Sequence, residues 1–145
     1  MAVAPGIAAT NAHNRNLIVA NSVIGQARDY DLLFFRDIHT AALEIAQPTI
    51  GEAIHAYGQG VNGELRAAHG VVRSIQTCAG CTAPAYFIFA GDAGPGFSGG
   101  PVVNGSGQLI GIIFAFKDEG SERLIYAYPM SRVQAEFLAL SQASK

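Results

Sequence analysis

Gly91-Asp92-Ala93-Gly94-Pro95-Gly96-Phe97-Ser98-Gly99-Gly100-Pro101 sets one serine in a run of glycines. Such a turn can present a hydroxyl while its backbone N–H groups converge on one point, as a serine nucleophile and its oxyanion hole require. A serine is inert near neutral pH unless a base takes its proton, and histidine is the usual base. The rest of the chain is therefore read for a histidine, a carboxylate to orient it, and enough fold to hold both.

The 145 residues make one domain of common size, able to bury a core. Half are apolar and only 14% are charged, against about 25% in ordinary globular chains. Apolar surface is thus left over for a partner. A net charge of −2, with Lys117 and Lys145 the only lysines, argues against nucleic acid or an anionic membrane as partner. No run approaches the roughly 18 apolar residues of a membrane span. At the N-terminus Pro5-Gly6 interrupts an apolar stretch that has no basic lead, so no secretory signal is read and the chain is expected to be cytoplasmic.

Turn residues and β-branched runs predict about eight short strands: residues 7–10, 16–24, 32–35, 69–75, 85–90, 102–103, 109–116 and 124–128. A polar turn falls at 25–29, a loop at 58–63 and a tight hairpin turn at Asn104-Gly105-Ser106-Gly107. Residues 44–57 are ambiguous, since Ile50, Ile54 and Tyr57 fit helical spacing while Pro48 and Gly51 oppose it. Ser131-Arg132-Val133-Gln134 has the spacing of a capping box, and Val133, Phe137 and Leu140 then share one helical face. The expected class is all-β, a barrel or sandwich with one terminal helix.

Of the four histidines, His13 directly follows a short strand; His39, His55 and His69 have less distinctive settings and read as structural or solvent-exposed. Asp31 opens the apolar run Asp31-Leu32-Leu33-Phe34-Phe35-Arg36, with Asp29 as its rival and a turn cap as its ordinary reading. Thr10-Asn11-Ala12-His13, Tyr30 to Arg36 and Pro95 to Pro101 together resemble the His, Asp and Ser motifs of chymotrypsin-fold (trypsin-like) serine proteases, in that family's chain order. They resemble most its HtrA/Deg branch. The resemblance continues through Gly107 to Ile112 and Ala127 to Val133.

That resemblance implies a double β-barrel with a C-terminal helix and a serine endopeptidase acting on polypeptides. The nucleophile would be Ser98, the general base His13, and Asp31 the group fixing the imidazole tautomer. Gly96 and Ser98 would supply the oxyanion N–H groups, and neither cofactor nor metal is called for. A partial first barrel is expected over about residues 1–45, a second over about 46–130, and the helix over 131–141.

With so little chain before His13, the first barrel is expected to be incomplete, with an unpaired edge. Upstream chain of a longer protein, a strand from a partner or a second copy, or a reduced and inactive relative would each account for it. In the last case the fold would serve as a protein-binding module. Asp92, Phe114 and Phe116 are candidates for the substrate pocket. Asp92 has the position that binds basic side chains in trypsin-like enzymes, while the two rings favour a small or medium apolar side chain. Cys78-Ala79-Gly80-Cys81 is read as two thiols, a local disulfide or half of a metal site.

Overall fold

The computed structural model describes residues 2–37, 43–60 and 62–143. Four short strands form an open sheet: β1 (Ala2–Ala4), β2 (Ile7–Thr10), β3 (Val23–Gln26) and β4 (Leu33–Arg36), ordered β1-β2-β4-β3. Six more strands, β5 (Ala53–Gln59), β6 (Leu65–Gln76), β7 (Tyr86–Gly91), β8 (Pro101–Asn104), β9 (Leu109–Glu119) and β10 (Glu122–Pro129), close a barrel in the order β10-β7-β6-β5-β8-β9. Every pairing between these strands is antiparallel. The period-two pattern fills the barrel: Phe87 and Phe89 point inward from β7 and meet Ile54, Val102, Ile110 and Ile125. One barrel is thus complete and the other half is an open sheet.

Helix α1 (Met130–Ala143) runs on from β10 and covers the join between the two halves. Met130 and Val133 are buried with Ala9 and Phe34 of the sheet and with Leu109 and Ile112 of the barrel. The Phe137 ring lies 5.2 Å from that of Phe34. Gly25 passes so close to Leu140 that a Cβ on it would sit 3.2 Å from that side chain. Among the described residues no helix is long and apolar enough to cross a membrane.

Several local expectations are corrected. Residues 16–24 are mostly not strand: 3₁₀ turns occupy Ala12–Leu17 and Ala20–Ser22, and only the last two residues join a strand, β3. Leu17 and Val19 point to solvent at 75% and 70% exposure, so no apolar face anchors a strand there. Residues 25 and 26, assigned to a turn, belong to β3. The ambiguous stretch ends in β5, which also takes Gly58 and Gln59 from the expected loop. Gly58 packs there because a Cβ would lie within 2.8 Å of the Gly96 carbonyl oxygen.

The capping box does not form. β10 passes into α1 at Met130, so Ser131 lies inside the helix, and among the described residues its buried hydroxyl has no hydrogen-bond partner. The expected face of Val133, Phe137 and Leu140 does face the core. Asn104 makes the β8–β9 turn, its carboxamide oxygen accepting the N–H groups of Ser106 and Gln108. Cys78 and Cys81 are joined in a disulfide, in place of the free-thiol and metal readings.

Candidate active site

His13 sits in the 3₁₀ turn after β2, and Asp31 sits just before β4, so the β2–β4 pairing brings them together. The His13 ring Nδ1 is 2.5 Å from Asp31 Oδ2, and the His13 backbone N–H donates to Asp31 Oδ1 at 3.1 Å. An ionised Asp31 accepts only, so it places the proton of a neutral imidazole on Nδ1 and leaves Nε2 as the basic nitrogen. Asp29, the rival carboxylate, is exposed.

Two side chains hold the Asp31 backbone that the sequence reading had not singled out. The buried Asn11 amide donates to the Asp31 carbonyl at 3.0 Å, and the Tyr128 hydroxyl accepts the Asp31 N–H at 2.8 Å. Burial pushes the Tyr128 phenol above its ordinary range, against a smaller downward pull from the Asp31 N–H. Asn11 lies within the quoted His13 motif, but nothing local marks Tyr128, which is 97 residues from Asp31.

Ser98 comes from the barrel, in the turn between β7 and β8. Phe97 is buried and anchors the turn in the barrel core. The Phe97 N–H donates to Gly94 O, the Gly100 N–H to Phe97 O and the Gly99 N–H to Ile113 O. Gly96 has φ +92° and its carbonyl accepts the Gln59 N–H at 2.9 Å, a left-handed conformation suited to glycine. Among the described residues the N–H groups of Gly96 and Ser98 donate no hydrogen bond.

The two halves meet at this turn. Asn14 donates from its side chain to the Ser98 carbonyl at 3.2 Å, and a Cβ on Gly99 would run into the Thr10 hydroxyl. Thr10 and Asn14 flank His13, so the Ser98 turn rests against the segment that carries the imidazole. No hydrogen bond links Ser98 Oγ to His13 among the described residues. Beside Ser98 opens a cavity of about 390 Å³, lined among others by Tyr57, Gln59, Leu65, Gly96 and Pro101.

The pocket candidates do not line that cavity. The two rings fall on different faces of β9. Phe114 packs in the outer cluster with Tyr128, whereas Phe116 pairs across from Ile125, a barrel-core residue, because the β9–β10 register shifts between them. Phe114 stacks on Tyr128 at 4.0 Å, and Phe116 lies under the Arg123 guanidinium at 4.6 Å, where it is half-exposed. Asp92 turns to the backbone of β6 and accepts the His69 N–H at 2.9 Å. His55 and His69 face each other across β5 and β6 with ring centroids 4.6 Å apart, and His39 lies outside the described residues. Among the described residues no three His, Cys, Asp or Glu side chains cluster as a metal site would require.

A family profile described as trypsin-like peptidase domain matches residues 3–112, which include both members of the His13–Asp31 pair and the Ser98 turn. The chain belongs to the trypsin-like peptidase family. Solved structures agree on the fold. Over the full chain it is similar to Rv3671c from M. tuberculosis H37Rv, a serine-to-alanine mutant in the inactive form, with 16% identity, TM-score 0.78 and 82% of that chain covered. A serine-to-alanine form of the HtrA-type protease AlgW with a decapeptide matches at 16% identity and TM-score 0.77, with all of this chain and 50% of that one covered. The serine endoprotease from Yersinia pestis matches at 20% identity and TM-score 0.75, with 100% and 57% covered. The chain thus spans about half the length of these HtrA-type and endoprotease chains. No curated protein matches it.

Proposed function

We propose that this trypsin-like domain is a serine endopeptidase whose triad is Ser98, His13 and Asp31. The observation that carries the reading is the 2.5 Å contact of His13 Nδ1 with Asp31 Oδ2, in a domain that rests the glycine-held Ser98 against the same segment. Ser98 Oγ attacks the carbonyl carbon of a peptide bond while His13 Nε2 takes its proton. The resulting oxyanion accepts the N–H groups of Gly96 and Ser98. Collapse expels the amine, protonated by His13, and leaves an acyl-enzyme that water hydrolyses by the same steps in reverse. Each oxyanion donor contributes about 10²–10³ in rate in enzymes of this chemistry.

An extended polypeptide lies along the cavity bounded by Tyr57, Gln59 and Leu65, which carries no charged side chain. The outer edges of the open sheet, β1 and β3, are where a second copy or a partner could add a strand. A second reading, a protein-binding module on a protease fold, draws on the absence of a Ser98–His13 hydrogen bond. Loose geometry of that kind is common before substrate binds.

A fluorophosphonate probe, which reacts with activated serines, separates the two. Wild-type protein should label at Ser98, a peptide substrate should compete, and His13→Ala should slow labelling by about 10⁴-fold with the fold retained. Folded wild-type protein that stays unlabelled would establish the binding module instead.

A further inference from the structure

Outside the triad, the barrel carries a three-way clasp on the chain leading to Ser98. Arg123 is the second residue of β10 and faces Asp118 across the β9–β10 hairpin. Its Nε donates to Asp118 Oδ1 at 2.6 Å and its Nη2 to Oδ2 at 3.2 Å, a bidentate pair. The guanidinium carbon also sits over the Phe116 ring, 4.6 Å from its centroid. Held on these two sides, it donates from Nη1 to the carbonyl of Ala93 at 3.3 Å. The same Nη1 lies 2.5 Å from where a Cβ on Gly94 would be, so the guanidinium abuts the bare backbone of Gly94.

Gly94 is the base of the nucleophile turn. Its carbonyl accepts the Phe97 N–H at 3.1 Å, the bond that folds the chain between Gly96 and Ser98. We infer that Arg123, oriented by Asp118 and Phe116, is a positioning residue that fixes the Ala93–Gly94 peptide and through it the two oxyanion N–H groups. The inference rests on the hydrolytic reading above. Lysine cannot replace arginine in this role, because one ammonium cannot span two carboxylate oxygens, a carbonyl and a ring face at once.

The test compares wild type, Arg123→Ala, Arg123→Lys and Asp118→Ala in peptide hydrolysis and in amide exchange at Phe97. Displacement of the turn by about 1 Å predicts a loss near 10²-fold in kcat for Arg123→Ala. KM should change little, since Arg123 does not line the cavity beside Ser98. Arg123→Lys should share most of the loss, Asp118→Ala should lose less, and millimolar methylguanidine should restore part of the activity of Arg123→Ala. The Phe97 amide should exchange faster in Arg123→Ala, while the Gly99 amide, bonded to Ile113, should not change.

A folded Arg123→Ala with wild-type kcat and wild-type Phe97 exchange overturns the inference. If that variant does not fold, the Lys and Asp118 variants decide by the same two readouts. An inert wild type would defeat the hydrolytic reading, and faster Phe97 exchange would then still establish the clasp on the turn.

Discussion

At the residue scale, Asp31 depends on partners far from it in the chain. The Tyr128 hydroxyl that accepts its N–H belongs to a side chain only 5% exposed, and burial raises its pKa. A group with a raised folded pKa adds stability below its ordinary range of about 10, and that stability is lost as pH climbs through the folded value. Tyr128→Phe removes both the ionisable phenol and the acceptor. It should flatten the alkaline arm of the stability curve and cost about 1–3 kcal/mol at neutral pH for the orphaned Asp31 N–H. Fluorophosphonate reactivity should fall as well, because the carboxylate loses one of its backbone anchors. Urea melts at pH 7 and above pH 10 check this, and an unchanged alkaline arm would contradict it.

Among the elements, legibility followed how local the signal was. Strands β7, β9 and β10 were readable because runs dense in Phe, Ile and Tyr mark buried strand within a few positions. The segment after His13 was not, because β-branched residues at 18, 19, 23 and 24 suggest a strand while the Asn-rich chain around them closes 3₁₀ turns. His13, Asp31 and Ser98 were legible as motifs. Where Phe114 and Phe116 lie could not be read locally, because the faces of β9 depend on its register against β10, which shifts between Tyr126 and Ala127.

Arg132 and the disulfide show a further element-scale coupling that motif reading could not supply. From α1 the buried Arg132 donates to the carbonyls of Ala83 and Pro84 and stacks on Tyr30, while its Nη2 lies 3.8 Å from Cys78 Sγ. The β6–β7 connection is thereby tied both to itself, by Cys78–Cys81, and to the helix. For so short a ring, chain entropy predicts a contribution of about 2 kcal/mol. Cys78→Ser with Cys81→Ser should lower Tm, and a reductant should lower the wild-type Tm by a similar amount. A wild type indifferent to reductant would refute this.

On the scale of the whole molecule, the two halves differ in how they end. The barrel closes on itself, whereas the sheet has strands of three or four residues and two edges. Its core is shared: Leu32, Phe34 and Ala9 pack against Met130 and Val133 of the helix and Leu109 and Ile112 of the barrel. An element that borrows its core and keeps open edges opens at lower free energy than a closed one. Amide exchange should therefore be faster in β2 and β4 than in β7 and β10. Phe34 is fully buried against Phe137, so Phe34→Ala should cost about 3–5 kcal/mol, most of it in the sheet. Labelling of Ser98 should then collapse, because His13 and Asp31 are carried on that sheet, while the β7 and β10 amides stay protected. A single transition in which sheet and barrel lose protection together would show instead that α1 couples the halves into one cooperative unit.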